Sequence, residues 1–273
     1  NVTFALTPNL RGIMLMISAV SLFAMKDGFA KHLGGIYPIL ELLWTQYCLM
    51  LLVVFPIIVV RHGWKALWPS HIYSQISRGL MSITAIGLFY FSITQIPLAD
   101  AMALIFISPI VVTALSPLIL GEKVGIRRWV AVLTGFVGIC FIVQPGFQEV
   151  TLGTLASLVA GVIWAFFQIT TRQLAQQEVP LVTVFCTSLI GAAATNLLLP
   201  LFWVTPTILD GSMMLVMAGF ASVGQAFLIY AFVAAPAAVI APFVYISIIV
   251  AVTIGYFAFG EFPSTTAWLG IFI

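Results

Sequence analysis

The residues with the most chemical potential in this 273-residue chain are charges set inside apolar stretches. Lys26 and Asp27 lie past the middle of the first such stretch, and Arg78 lies near the start of the third. A charge at the centre of a bilayer costs about 2.5–3.5 kcal/mol on insertion scales, so one kept there has a partner or a task. Asp27 stands four residues before Lys31, the helical spacing of a local ion pair, with Lys26 reaching for the interface. Neighbouring helical positions point about 100° apart, so Lys26 and Asp27 are not expected to face one spot. The competing expectation has them line the outer half of a solute path and touch a zwitterion's charged groups, with proton coupling through Asp27. Arg78 is expected to snorkel toward the near end of its span, or else to make that vestibule attractive to carboxylates.

Two further carboxylates sit in a duplicated setting. Pro97, Ile107-Ser108, Gly121-Glu122 and Trp129 recur 139 residues later as Pro236, Ile246-Ser247, Gly260-Glu261 and Trp268. Each glutamate ends an apolar stretch beside the start of the next, where a carboxylate accepts backbone N–H groups, so both read as helix-corner caps. His32, His62 and His71 fall near stretch ends without metal-ligand spacing. The chain has no phosphate loop and no Ser-His-Asp or His-Glu-x-x-His constellation, so enzymatic chemistry, cofactors, bound metal and an ATPase subunit are not expected. Cys48, Cys140 and Cys186 are an odd number within apolar stretches and read as packing thiols rather than a disulfide framework.

A different group suggests a pocket. Trp164, Gln168 and Thr171 follow i, i+4, i+7 and share one helix face, which Ser157, Ala160 and Gly161 extend with small residues. Ser82 and Tyr90, Phe106 and Ser108, Gln225 and Tyr230, and Tyr245 and Ser247 stand at comparable depths in other stretches. Each alone is compatible with ordinary interhelical packing. Together they describe an aromatic, hydroxyl-bearing wall with few charges, suited to a solute with a flat apolar part and an ammonium group. Pro109 and Pro117, each preceded by serine, are expected to bend their span and to act as a hinge or a static kink.

Such residues need helices that cross a membrane. Charged residues are 7% of the chain and the hydrophobic set 62%, against roughly 25% charge in a soluble domain. The net charge of +2 forms no basic stripe, so nucleic acid is not an expected partner; the lipid bilayer and a small solute are. A crossing takes about 20 apolar residues. Spans are expected near 10–33, 38–60, 73–95, 98–120, 126–144, 152–174, 180–203, 211–234 and 237–259, and a tenth begins at Thr265 and is incomplete at Ile273. With alternating spans, Arg11, Arg61, Lys65, Lys123, Arg127, Arg128 and Arg172 fall on one side, which places the N-terminus in the cytoplasm. Lys31, Glu149, Asp210 and Glu261 fall on the other. The early spans also repeat, at a spacing of 141: Gly12 with Gly153, Phe23 with Trp164, and Lys31 with Arg172. A unit of five spans enters the membrane from opposite sides in its two copies, which is an inverted repeat.

The stretch from Tyr90 to Ile142 resembles the EamA-type repeat of the drug/metabolite transporter superfamily. The likeness rests on Ile96-Pro97-Leu98-Ala99-Asp100-Ala101, Ser108-Pro109, Leu120-Gly121-Glu122-Lys123, Gly135 and Gly138. The second copy repeats most of this, with Ile248 at the family's proline and Phe262 after Gly-Glu. Gln46 stands where the family often has an arginine, so an anion role is not expected there. The resemblance implies an all-α integral membrane protein of ten transmembrane helices, arranged as two inverted five-helix repeats over residues 1–148 and 149–273. Spans one to four and six to nine would surround the path, with five and ten peripheral. Among its members the chain most resembles YddG-like exporters of aromatic amino acids.

The expected function is therefore a secondary transporter in a bacterial inner membrane that exports small metabolites, amino acids including aromatic ones first, by alternating access. Export of a drug-like or other small solute is the alternative; a passive channel or a membrane-embedded lipid enzyme has less in its favour.

Overall fold

A computed structural model describes residues 8–121, 150–175, 177–235 and 237–261, with 125, 126, 129, 130, 133–135, 137 and 138. Glu122, Lys123, Arg127, Arg128, Cys140, Glu149, Pro236, Trp268 and the expected tenth span lie outside the described residues. Among those described, all regular structure is helical. The helices are α1 (Pro8–Gly34), α2 (Ile39–His62), α3 (Ile72–Gln95), α4 (Leu98–Ile105), α5 (Ile107–Ile119), α6 (Leu152–Ala175), α7 (Pro180–Leu198), α8 (Ile208–Ala234), α9 (Ala237–Ile240) and α10 (Ile246–Phe259).

Seven segments among the described residues are long and apolar enough to cross a membrane, from Asn9–Gly34 to Ile208–Ala234, and Phe243–Phe259 adds a shorter apolar helix. Large apolar side chains remain on the outside, Leu118 at 82% and Leu197 at 79% exposure, as a lipid-facing surface requires. The chain punctuates these helices with ordinary stop and start chemistry. Pro38 and Pro97 stand at the N-caps of α2 and α4, and Pro180 opens α7 at its first helical position. Thr207 caps α8 by accepting the Asp210 N–H at 3.1 Å. α10 ends on Gly260 with φ of 66°, and Gly121, 139 residues earlier, has the same φ of 66°. A left-handed residue costs glycine nothing, so the duplicated glycine repeats in φ as well as in sequence.

The fourth span is not one bent helix. It breaks at Phe106 into α4 and α5. Pro109 explains the position: it has no N–H to give to the Ile105 carbonyl, and its ring would clash there. It sits instead in the first turn of α5, where proline is tolerated, while Pro117 lies inside α5. The ninth span also breaks, through a 3-10 segment over Ala241–Tyr245. Its last residue is 139 positions from Phe106, and the two rings stack with centroids 5.0 Å apart.

Small residues set the packing. α1 crosses α8, α3 crosses α6, and α2 runs against α7. A Cβ on Gly12 would lie 2.5 Å from Ala235, and one on Gly153 would lie 2.7 Å from Gln95 and 3.3 Å from Ile96. Ile96 and Ala235 are again 139 apart, so each half presents the same glycine crossing to the end of the other half's helix. Gly191 is the tightest such site: an added Cβ would stand 2.3 to 2.6 Å from the ring of Tyr47, itself 1% exposed. Gly191→Ala is therefore expected to overpack the α2–α7 contact, costing roughly 1–3 kcal/mol, visible as a lowered melting temperature of the detergent-purified protein.

Candidate functional site

The broken helices and the crossing pairs enclose a cavity of ≈ 120 Å³, lined from α1 through α8, the 3-10 segment and α10. Both halves of the chain contribute to it. Its walls are apolar and aromatic, with Phe23, Phe89, Phe106 and Trp164 among them. Trp164 lies nearly parallel to Phe167, centroids 4.5 Å apart, which fixes the indole plane.

Of the residues expected at a pocket, Trp164, Gln168, Ser82, Phe106, Ser108, Gln225, Ser247, Lys26 and Asp27 line this cavity. Gln168 Nε2 donates to Ser108 Oγ at 3.4 Å, tying α6 to the break in the fourth span. Ser247 Oγ donates to the Val244 carbonyl at 2.7 Å at the equivalent break. Tyr245 stands beside the lining, stacked on Phe106. Tyr230 does not belong: it is 37% exposed and faces outward. Tyr47, Gln46 and Thr187 line the cavity without having been singled out for it.

Lys26 and Asp27 correct two expectations. They pair with each other rather than Asp27 with Lys31, and both reach the cavity although they are adjacent on the helix. A lysine ammonium stands at the end of four carbons, long enough to cover the angular gap. Lys26 Nζ also donates to the Tyr90 hydroxyl at 3.2 Å, and that hydroxyl donates to Gln46 Oε1 at 2.8 Å. Lys26 further lies over the Tyr90 ring, 4.9 Å from its centroid. Tyr90 thus acts behind the wall, joining α1, α3 and α2 through one chain of hydrogen bonds.

Lys31 pairs instead with Glu261 and donates to the Ile96 carbonyl at 3.3 Å. The other oxygen of Glu261 accepts the Leu98 N–H at 3.1 Å. Glu261 is therefore a cap, as expected, but for α4, a helix 163 residues away. This clasp joins α1, α4 and the end of α10. Nearby in the chain, the Tyr37 hydroxyl donates to Asp210 at 2.8 Å and fastens the turn after α1 to the start of α8.

Arg78 does not snorkel. It is 0% exposed and is held from three sides: Nε donates to Thr171 Oγ1 at 2.7 Å, Nη1 to Thr187 Oγ1 and to the Thr183 carbonyl at 3.3 Å. Its guanidinium also lies over the Phe167 ring at 4.3 Å. Thr171, expected on the pocket face with Trp164, is thereby turned to Arg78. Nearby on α3, Ser82 Oγ and the Tyr47 hydroxyl share a hydrogen bond of 2.8 Å. Sequence reasoning could have reached Arg78, because it precedes Ser82 by one turn and Ala85 and Phe89 continue the same stripe.

The sequence profile of the EamA-like transporter family matches residues 10–144 and 151–273. The chain is 24% identical over 269 residues to an S-adenosylmethionine uptake transporter of Rickettsia prowazekii, covering 98% of this chain and 91% of that one. It is 28% identical over 266 residues to a riboflavin transporter of Vibrio cholerae, covering 96% and 89%. A solved crystal structure superposes with a TM-score of 0.70 over 95% of this chain and 92% of that one, at 19% identity. These relatives carry names of other solutes than amino acids.

Proposed function

The chain belongs to the EamA-like transporter family, and from that premise we propose that it carries small zwitterionic metabolites bearing a flat ring, amino acids including aromatic ones first among them. As a transporter of small metabolites in a multi-pass membrane fold it is not an enzyme. The fuller architecture is ten spans in two inverted repeats, residues 1–148 and 149–273, in a bacterial inner membrane with the N-terminus in the cytoplasm. Solute moves outward by alternating access. The outward direction rests on the sequence's resemblance to aromatic amino acid exporters, whereas the Rickettsia relative is named for uptake.

One observation carries the substrate class: a cavity lined from both halves that combines aromatic faces, hydroxyls and an ion pair neutral by itself. S-adenosylmethionine is the second reading, favoured by the similarity of the Rickettsia protein over nearly the whole chain and by its own amino-acid end. Purified protein in liposomes, loaded on one side with radiolabelled tryptophan, is expected to show saturable flux. Unlabelled amino acids should compete better than S-adenosylmethionine, and both better than riboflavin. Failure of every amino acid to move or compete would sink the substrate class.

Trp164→Ala is expected to leave folding intact and to raise the apparent KM for tryptophan about 2- to 12-fold, the equivalent of one aromatic pair at ~0.5–1.5 kcal/mol. An unchanged KM would mean that the ring of the solute lies elsewhere.

A further inference from the structure

Arg78 differs from the other buried lysine or arginine of this region in what surrounds it. Lys26 has Asp27, and Lys31 has Glu261. Arg78 is fully buried, yet no carboxylate among the described residues lies within ion-pairing distance of it. Its partners are two threonine hydroxyls, one carbonyl and a ring face, and Nη2 has no acceptor among the described residues. A guanidinium taken out of water normally keeps an opposite charge.

The cavity ends beside it. Thr187, which accepts from Nη1, lines the cavity, as does Ser82 one turn along α3. The hydrogen bond between Ser82 and Tyr47 uses one of two hydroxyl protons and leaves the other to donate. Gln225 Nε2, on the same cavity, is a second buried donor without an acceptor among the described residues. A spare hydroxyl proton beside one positive charge that no carboxylate among the described residues offsets, with a further unpartnered donor on the same cavity, describes the seat of an anion.

We propose that this corner, with Ser82 and Tyr47 in front and the Arg78 charge behind Thr187, whose own proton goes to the Thr183 carbonyl, seats the carboxylate of the transported solute. The assignment rests on reading the chain as a carrier of zwitterions, and it orients the solute. At 1.5 Å per residue, Ser82 and Tyr90 are about 12 Å apart along α3. An α-amino acid bears both charges on one carbon and engages only one of these poles. Asp27 is already neutralised by Lys26, so the carboxylate goes to Arg78 and the ring runs along Trp164 toward the ion pair.

Two probes separate the poles: 3-phenylpropionate, a ring with a carboxylate and no amine, and phenethylamine, a ring with an amine and no carboxylate. In thermal melts of the detergent-purified protein, 3-phenylpropionate is expected to protect at concentrations at least tenfold below phenethylamine. Arg78→Met should abolish that preference and Arg78→Lys should keep part of it. Arg78→Gln, which retains donors for Thr171 and Thr187 without the charge, carries the comparison if the methionine variant does not fold. The seat is overturned if the wild type shows no preference for the carboxylate probe, or if a charge-free variant keeps it. Tryptophan flux in liposomes reads the broader function separately. Absent flux with Arg78-dependent protection removes the amino-acid reading and leaves the seat. Normal flux with a preference unmoved by Arg78→Gln removes the seat and leaves the reading.

Discussion

Asp27→Leu should destabilise the protein by about 3–5 kcal/mol, because it strands the Lys26 ammonium in a buried site. The two side chains are 7% and 6% exposed, and what would remain for Lys26 is the Tyr90 hydroxyl and two ring faces. Those contacts are weak substitutes for a full opposite charge. The double replacement Lys26→Met with Asp27→Leu removes both ions and should recover most of the loss, since an apolar pair of similar volume packs at little cost. Thermal melting of the three proteins checks this. A single variant that melts like the wild type would show that the pair is not coupled in the folded state. Recovered stability without recovered flux in the double variant would separate the pair's structural part from its part in the path.

The second large effect belongs to Glu261. Its two oxygens serve Lys31 and the Leu98 N–H, so Glu261→Ala leaves the lysine with the Ile96 carbonyl in place of an opposite charge and the helix start without its acceptor. Hydrogen bonds to charged groups contribute about 1.5–3 kcal/mol, which as a local opening equilibrium is a factor of roughly 10 to 150. Amide exchange over the first turn of α4 should accelerate by that factor, while exchange in the α1–α8 crossing stays unchanged. Glu261→Gln, which keeps an acceptor for Leu98 without the charge, should fall between. Uniform acceleration over the whole protein would instead mean that the clasp supports global stability rather than one end.

The architecture was legible because its signals are periodic and repeated. Spans read from hydropathy agree with α1, α2, α3, α6, α7 and α8 to within a few residues. The 139-residue spacing found in Gly121-Glu122 and Gly260-Glu261 returns as an equal φ at the two glycines and as the Phe106–Tyr245 stack. The site was legible where helical phase was used. Trp164 and Gln168 are one turn apart and both line the cavity. It failed where depth stood in for phase. Gln225 and Tyr230 are five positions apart, about 140° around the helix, so one of them had to face away. Arg78 was placed by nearness to a span end, although its phase with Ser82 pointed inward. The Lys26–Asp27 pair is illegible for another reason: helical phase gives Cβ directions, whereas a lysine ammonium sits at the end of four flexible carbons. Gln46 and Tyr47 had no signal of their own, since their roles depend on which helix α2 meets.

The two helix breaks look alike and are made of different stuff. In the first half the joint is covalent: Pro109 lacks the N–H that would let the Ile105 carbonyl rejoin a continuous helix, at any time and in any surroundings. In the second half Ile248 stands in that place and keeps its N–H, and the proline of the 3-10 segment over Ala241–Tyr245, Pro242, stands at the segment's start instead, so every residue from Phe243 to Ile248 has an N–H to give to a helix. One elbow has its proline just past the break, the other just before it. The junction between Tyr245 and Ile246 can therefore close into one helix while the junction at Phe106 cannot, and Ile248→Pro would make the two alike.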